Sequence, residues 1–143
     1  AALVRALAHG TPSAGRRAAD ALLGLGPGAT PSGDDFLCGL LLAARLSPLP
    51  PTWLPVLVAT AERAGTRTPP VSAALLRHAV DGHCIPQVAA VLHAAATGAD
   101  PTAPVADLLA VGHSSGGDLL HGLCARARLT AEVSRPRVGS SPG

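Results

Sequence analysis

The sequence predicts an all-α fold, a compact multi-helix bundle with two glycine-rich loop-to-helix corners. Three observations carry this. No run alternates apolar and polar residues with a period of two. Apolar residues recur instead at helical spacing, as in Leu37, Leu40, Leu41 and Ala44. A segment is also repeated: Ser32-Gly33-Asp34-Asp35-Phe36-Leu37-Cys38-Gly39-Leu40 aligns with Ser115-Gly116-Gly117-Asp118-Leu119-Leu120-His121-Gly122-Leu123. Serine, glycine, aspartate, leucine, glycine and leucine recur at the same offsets. Two copies are too few for a solenoid and define two similar corners, expected to face one another.

The elements follow in chain order. Ala1 to Ala8 reads as a short helix stopped by Gly10 and Pro12, and Ser13 as the cap of a second, Ala14 to Leu23. The loop Gly24 to Pro31 comes next, with Pro27 and Pro31 fixing φ and Gly26 and Gly28 free to take positive φ. Ser32 and Asp35 have capping-box spacing, so a helix is expected from Gly33 to Leu46. That helix is apolar almost all round and should be the central buried one. Gly39 inside it costs about 1 kcal/mol against alanine, which points to a closely approaching backbone.

Ser47 to Pro51 is a proline-rich break, and Thr52 the expected cap of a helix to Ala64. Thr68 is expected to start a helix through Asp81, ended by Gly82. Pro86 opens another, ended by Gly98. Asp100-Pro101 or Thr102 starts a short helix to about Ala110. The second corner leads into a last helix to about Ala131, and Ser134 to Gly143 reads as a disordered tail. Residues 1–133 thus form one helical domain. The start in mid-pattern at Ala1, without an initiator methionine, reads as the C-terminal fragment of a longer protein.

Composition narrows the function classes. With no methionine or tyrosine, one Trp and one Phe, the core must be built from small and aliphatic side chains. Charged residues make up 14%, below a typical ~25%, so partner subunits or self-association are expected to cover part of the surface. A net charge of +2, carried by scattered arginines, gives no footprint for nucleic acid. Phe36 to Ala44, the longest strongly apolar run, is far short of a membrane span, and no signal peptide is evident. Three distant cysteines make no disulfide framework, which fits a reduced cytoplasm.

The corners carry the candidate chemistry. Helix N-terminal N–H groups and the macrodipole attract anions, making Gly26, Gly28, Thr30, Ser32, Gly33, Ser114, Ser115 and Gly116 candidate ligand-binding residues. Asp34, Asp35, His113 and Asp118 are the candidate acid–base groups. The carboxylates repel a bare phosphate and suit an N–H donor or Mg²⁺ instead. A ligand with an anionic end and an NH₂ end would satisfy both features. The bland alternative is a pair of stiff helix caps. Gly112 to Gly116 matches G-x-S-x-G, but a helical pattern precedes it where a nucleophile elbow needs a strand. His78, His83, Cys84 and His93 fit no common zinc spacing. Thr68 and Ser72 read as cap and first-turn hydroxyls, and Arg77 as an alternative holder of an anion.

Three stretches together resemble a known family. They are Gly24-Leu-Gly-Pro-Gly-Ala-Thr-Pro-Ser-Gly-Asp-Asp-Phe-Leu-Cys-Gly39, the Ser72-x-x-Leu75-Leu76-x-x-Ala79-x-x-Gly82 pattern, and Gly112-His-Ser-Ser-Gly-Gly-Asp-Leu-Leu-His-Gly122. The chain is similar, over about Ala14 to Ala127, to the C-terminal part of the AllH-type family, long known as a domain of unknown function. Ala29 departs from the larger residue usual there. The resemblance implies a subunit of oxamate carbamoyltransferase in allantoin degradation, moving a carbamoyl group between carbamoyl phosphate and oxamate. It also implies further subunits as partners and a missing N-terminal domain. The alternative is a non-catalytic interaction subunit whose glycine corners serve helix packing.

Overall fold

The computed structural model describes residues 2–45 and 53–134. The proline-rich break, the Thr52 cap and the expected tail beyond its first residue lie outside the described residues; that first residue, Ser134, is instead the last of the final helix, which runs past the expected end near Ala131. Within them the chain is all-α: α1 (Ala2–His9), α2 (Pro12–Asp20), α3 (Ser32–Arg45), α4 (Leu54–Glu62), a 3₁₀ turn (Ala64–Thr66), α5 (Pro70–Val80), α6 (Pro86–Thr97), α7 (Thr102–Leu109) and α8 (Ser115–Ser134).

Local signals place most boundaries. Thr11 caps α2 by accepting from the Ala14 N–H at 3.2 Å, with Pro12 in the first turn. The cap expected at Ser13 is therefore Thr11, and α2 ends at Asp20 rather than Leu23. Pro12 decides this, because its fixed φ is ready-made for a first helical residue. Gly98, at φ 72°, terminates α6 in the left-handed conformation. Asp100 Oδ1 accepts from the Thr102 N–H at 2.9 Å and starts α7.

The capping box expected at Ser32 is not formed. Ser32 is the first residue of α3, and the N–H groups of Asp34 and Asp35 both donate to the Pro31 carbonyl, at 2.9 and 3.1 Å. Thr68 likewise caps nothing, since Pro69 occupies the cap position of α5. Both departures free a side chain for the tertiary contacts described below.

Helix α3 lies at the centre, packed against α8, α5 and α4. Leu40 and Leu41 are fully buried, and the core extends through Leu57, Leu76, Val88, Leu108 and Leu129. Helices α3 and α8 cross at their glycines. A Cβ on Gly39 would overlap the Leu119 carbonyl, and one on Gly122 would overlap the Phe36 carbonyl. Phe36 and Leu119 are equivalent positions of the repeat, so the crossing is an approximate two-fold. One turn earlier the symmetry continues. Gly33 packs on the Leu22 carbonyl and donates to Leu25 O, while Gly116 packs on the Leu108 carbonyl and donates to Val111 O. The repeat therefore covers the end of one helix, the corner and the next helix.

Candidate functional site

The crossing brings the two corners together. Thr30 Oγ1 of the first and Ser115 Oγ of the second share a hydrogen bond of 3.0 Å. Beside this hydroxyl pair opens a cavity of about 490 Å³. Its polar end is Thr30, Asp35 and Ser115. Cys38, Leu42, Val88 and Leu119 form apolar walls. Leu75, His78, His83, Cys84 and Ile85 also line it, from α5 and the link to α6.

Adjacent aspartates at the start of α3 point in different directions, because successive helical residues are rotated by about 100°. Asp34 has no exposed surface and is a hydrogen-bond hub. Its Oδ1 accepts from the Gly24 N–H at 2.8 Å; its Oδ2 accepts from Ser72 Oγ at 2.6 Å and from the Thr68 hydroxyl. It ties the first corner to the start of α5: the cap role expected for Thr68 gives way to this network, and Ser72, a first-turn hydroxyl as expected, donates into it.

Asp35 turns to the cavity. It is 4% exposed, and its Oδ2 is buried with no hydrogen-bond partner among the described residues. Burial pushes its carboxyl up to about 6; the Ser115 hydroxyl opposes this, the Asp118 and Asp34 carboxylates add to it, and the Thr30 hydroxyl pulls back. Asp118 stands at the matching position of α8, and its Oδ2 is also buried without a partner. Burial, reinforced by Asp35 and Asp34, pushes the Cys38 thiol up as well, so it stays protonated and packs as an apolar wall.

The other candidates are distributed around this centre. Gly26 and Gly28 sit in the exposed part of the loop at φ 121° and 88°. His113 and Ser114 are exposed and do not line the cavity. Ser32 is half-buried at the first position of α3. Gly33 and Gly116 are packing contacts whose N–H groups already donate to backbone carbonyls. Arg77 is exposed and away from the cavity. Among the described residues no three His, Cys, Asp or Glu side chains are grouped to hold a metal ion. His78 and His83, whose rings meet edge to face at 6.0 Å, line the cavity with Cys84 without forming such a group.

Sequence reasoning weighed His78, His83 and Cys84 only as a zinc set and did not foresee that, with Leu75 and Val88, they form the far wall of the cavity. Leu75, His78 and Ala79 share one face of α5 at i, i+3, i+4, a signal that was present but had no partner to give it meaning.

The chain is thus all-helical, with its two glycine corners meeting beside a cavity of about 490 Å³. The sequence model of the family described as oxamate carbamoyltransferase subunit AllH matches residues 22–127. The chain belongs to that family, and the match runs from the end of the α2 turn into α8, enclosing both corners. The family makes it a subunit of a carbamoyltransferase complex. No solved structure matches the chain. Among the described residues no helix is long and apolar enough to cross a membrane.

Proposed function

We propose that, within a carbamoyltransferase assembly, this chain contributes a small-ligand site at its paired corners, with Asp35 as the polar anchor and Thr30 and Ser115 orienting the ligand. The observation that carries the reading is the unpartnered, buried Oδ2 of Asp35 at the polar end of a cavity. Buried polar atoms are nearly always hydrogen-bonded, and an unpartnered carboxyl beside a cavity is best explained by a partner that comes and goes. A carbamoyl NH₂ is such a partner, since an ionised carboxylate only accepts. With a value near 6 the same carboxyl can exchange a proton close to neutral pH, as an acid–base group must.

The anionic ligand expected of the corners receives less support than the NH₂ donor. The N–H groups of Gly33, Asp34, Asp35, Gly116 and Asp118 are engaged by backbone carbonyls. Asp118 acts on Asp35 electrostatically; Asp34 and the glycines hold the geometry. Mg²⁺ would find Asp35 and the two hydroxyls as oxygen ligands, a set too small to hold it without the substrate's own oxygens.

A second reading is a purely structural subunit. It is favoured by Gly33, Gly39, Gly116 and Gly122, each of which serves close packing. Carbamoyl transfer from carbamoyl phosphate to oxamate, measured on the assembled complex carrying Asp35→Asn, separates the two. The site reading expects a loss of about 10²-fold with assembly intact. An unchanged rate in a fully assembled variant leaves the structural reading standing.

A further inference from the structure

We propose that His78 and His83 form an oxyanion subsite at the end of the cavity opposite the corners, and hold the phosphate or carboxylate of a reactant whose N–H end lies at Thr30, Ser115 and Asp35. This rests on the reading of the cavity as the chain's ligand site and deepens it by placing the anionic end, which the engaged N–H groups of the corners leave without a holder.

The histidine pair is built by the turn that ends α5. Gly82 takes φ 84°, its N–H donates to Ala79 O at 3.1 Å, and the His83 N–H donates to His78 O at 2.8 Å. These two bonds are the Schellman closure of a helix, which brings the residue after the glycine back over the last turn. The His83 ring therefore meets the His78 ring edge to face, with centroids 6.0 Å apart. Both residues are exposed and both line the cavity. An imidazole offers one N–H when neutral and two when charged, so the pair has at least two donors for an oxyanion. It has too few ligands for a metal ion, since no third His, Cys, Asp or Glu is grouped with it among the described residues. The charged groups at this end of α5 are Arg77, Arg45, which donates to the Val80 carbonyl, and the exposed Asp81: two guanidiniums against one carboxylate. The corner end, with Asp35, Asp34 and Asp118, has the opposite sign.

Length agrees with this polarity. Asp34 at the start of α3 meets Ser72 at the start of α5, and Arg45 at the end of α3 meets Val80 at the end of α5. The two helices therefore run side by side in the same direction. The cavity follows them from Asp35 to Leu42 on α3 and down to His78 on α5. The helical rise from Asp35 to Leu42 is about 10 Å. Two hydrogen bonds of about 2.9 Å, one at each end, leave about 4–5 Å between a ligand's N–H and its oxyanion. A molecule of a few atoms, with an NH₂ at one end and charged oxygens at the other, has that span. Leu42, Val88 and Leu119 wall the middle and keep water from it.

The test uses the assembled complex at pH 7. Cys84, exposed beside His83 in the same lining, is alkylated with N-ethylmaleimide and followed by peptide mass spectrometry. Cys124, exposed on α8 and outside the lining, is the internal reference. Inorganic phosphate and oxamate are titrated separately, which tells a phosphate subsite from a carboxylate one. The expected result is saturable protection of Cys84, and not of Cys124, by one of the two. The double variant His78→Ala, His83→Ala should weaken that protection by about 10–100-fold and raise the KM of the corresponding reactant by a similar factor, with kcat changed less. Protection by neither anion, or protection that survives the double variant, overturns the proposal. A Cys84 that does not react in the assembly also overturns it, because that end of the cavity is then closed to a reactant. If the proposal fails while Asp35→Asn still slows carbamoyl transfer, the oxyanion subsite falls alone. If Asp35→Asn is also without effect, the cavity is not the chain's ligand site.

Discussion

At the scale of single residues, two neighbouring aspartates do opposite work. Asp34 is saturated: three donors from the corner loop and α5 converge on it. Asp34→Ala leaves all three without an acceptor in a buried place, so a loss of about 3–5 kcal/mol in urea unfolding is expected. Ser72→Ala removes one donor of three and should cost about 1 kcal/mol. Asp35 is under-satisfied, and its raised value has a definite sign. The folded chain holds this proton more tightly than the unfolded one, whose value is near 3.8. Its contribution to stability is therefore complete below about pH 4 and lost as the pH rises through about 6. The groups facing it are Asp34, Asp118 and Cys38, with His78, His83 and Cys84 across the cavity. Asp35→Asn should remove this part of the pH dependence. Its thermal midpoint should exceed the parent's by about 3–6 °C at pH 7.5, and the difference should vanish near pH 4.

At the scale of elements, the repeat explains why glycine is used where alanine would make a better helix. Gly39 and Gly122 face each other's helix, and each would drive a Cβ into a backbone carbonyl that has no room to retreat. Gly39→Ala and Gly122→Ala should each cost about 2–3 kcal/mol by forcing α3 and α8 apart, and should also widen the Thr30–Ser115 contact. Gly117, also in α8, is the control. A Cβ there reaches only ordinary contact with Leu109, so Gly117→Ala should be neutral or stabilising by up to about 1 kcal/mol. Chemical denaturation of the three variants checks this. Equal effects at Gly117 and Gly122 would show that helix propensity, not the crossing, governs these positions.

At the scale of the whole molecule, stability should be uneven. The α3–α8 crossing carries the fully buried Leu40, Leu41 and Leu129, whereas α6 buries only Val88, Val91 and Ala94 and packs mainly on α7. Hydrogen exchange should show the amides of Leu40 to Ala44 and of Leu123 to Ala125 opening only with global unfolding. Those of α6 should open earlier as a unit. Because Ile85 and Val88 line the cavity, that opening would also loosen one of its walls. Uniform protection across α6 and α3 would show instead that the bundle opens as one unit. Leu25, Val71, Leu75, Leu109 and Val133 are large apolar side chains left exposed, consistent in kind with a chain that works as a subunit.

The sequence alone determined the all-helical class, the order of the helices and the central place of α3. Each depends on short-range information: spacing of apolar residues, proline and glycine punctuation, and the length of the apolar face. The repeat even placed the glycine crossing, because a helical glycine that costs stability needs a close neighbour to justify it, and two at matching positions need each other. Tertiary structure decided the roles of the polar groups. Asp34 and Asp35 are chemically alike and adjacent, and only their surroundings make one a hydrogen-bond hub and leave the other beside a cavity with an unpartnered oxygen. Thr68 and Ser72 looked like a local cap and a first-turn hydroxyl because local geometry allowed it; Asp34, over thirty residues earlier, offered both a carboxyl acceptor. The far wall of the cavity came from α5 and α6, distant in sequence from both corners. No local pattern encodes such a meeting, since it follows from how helices pack around a shared core and not from what any one of them contains.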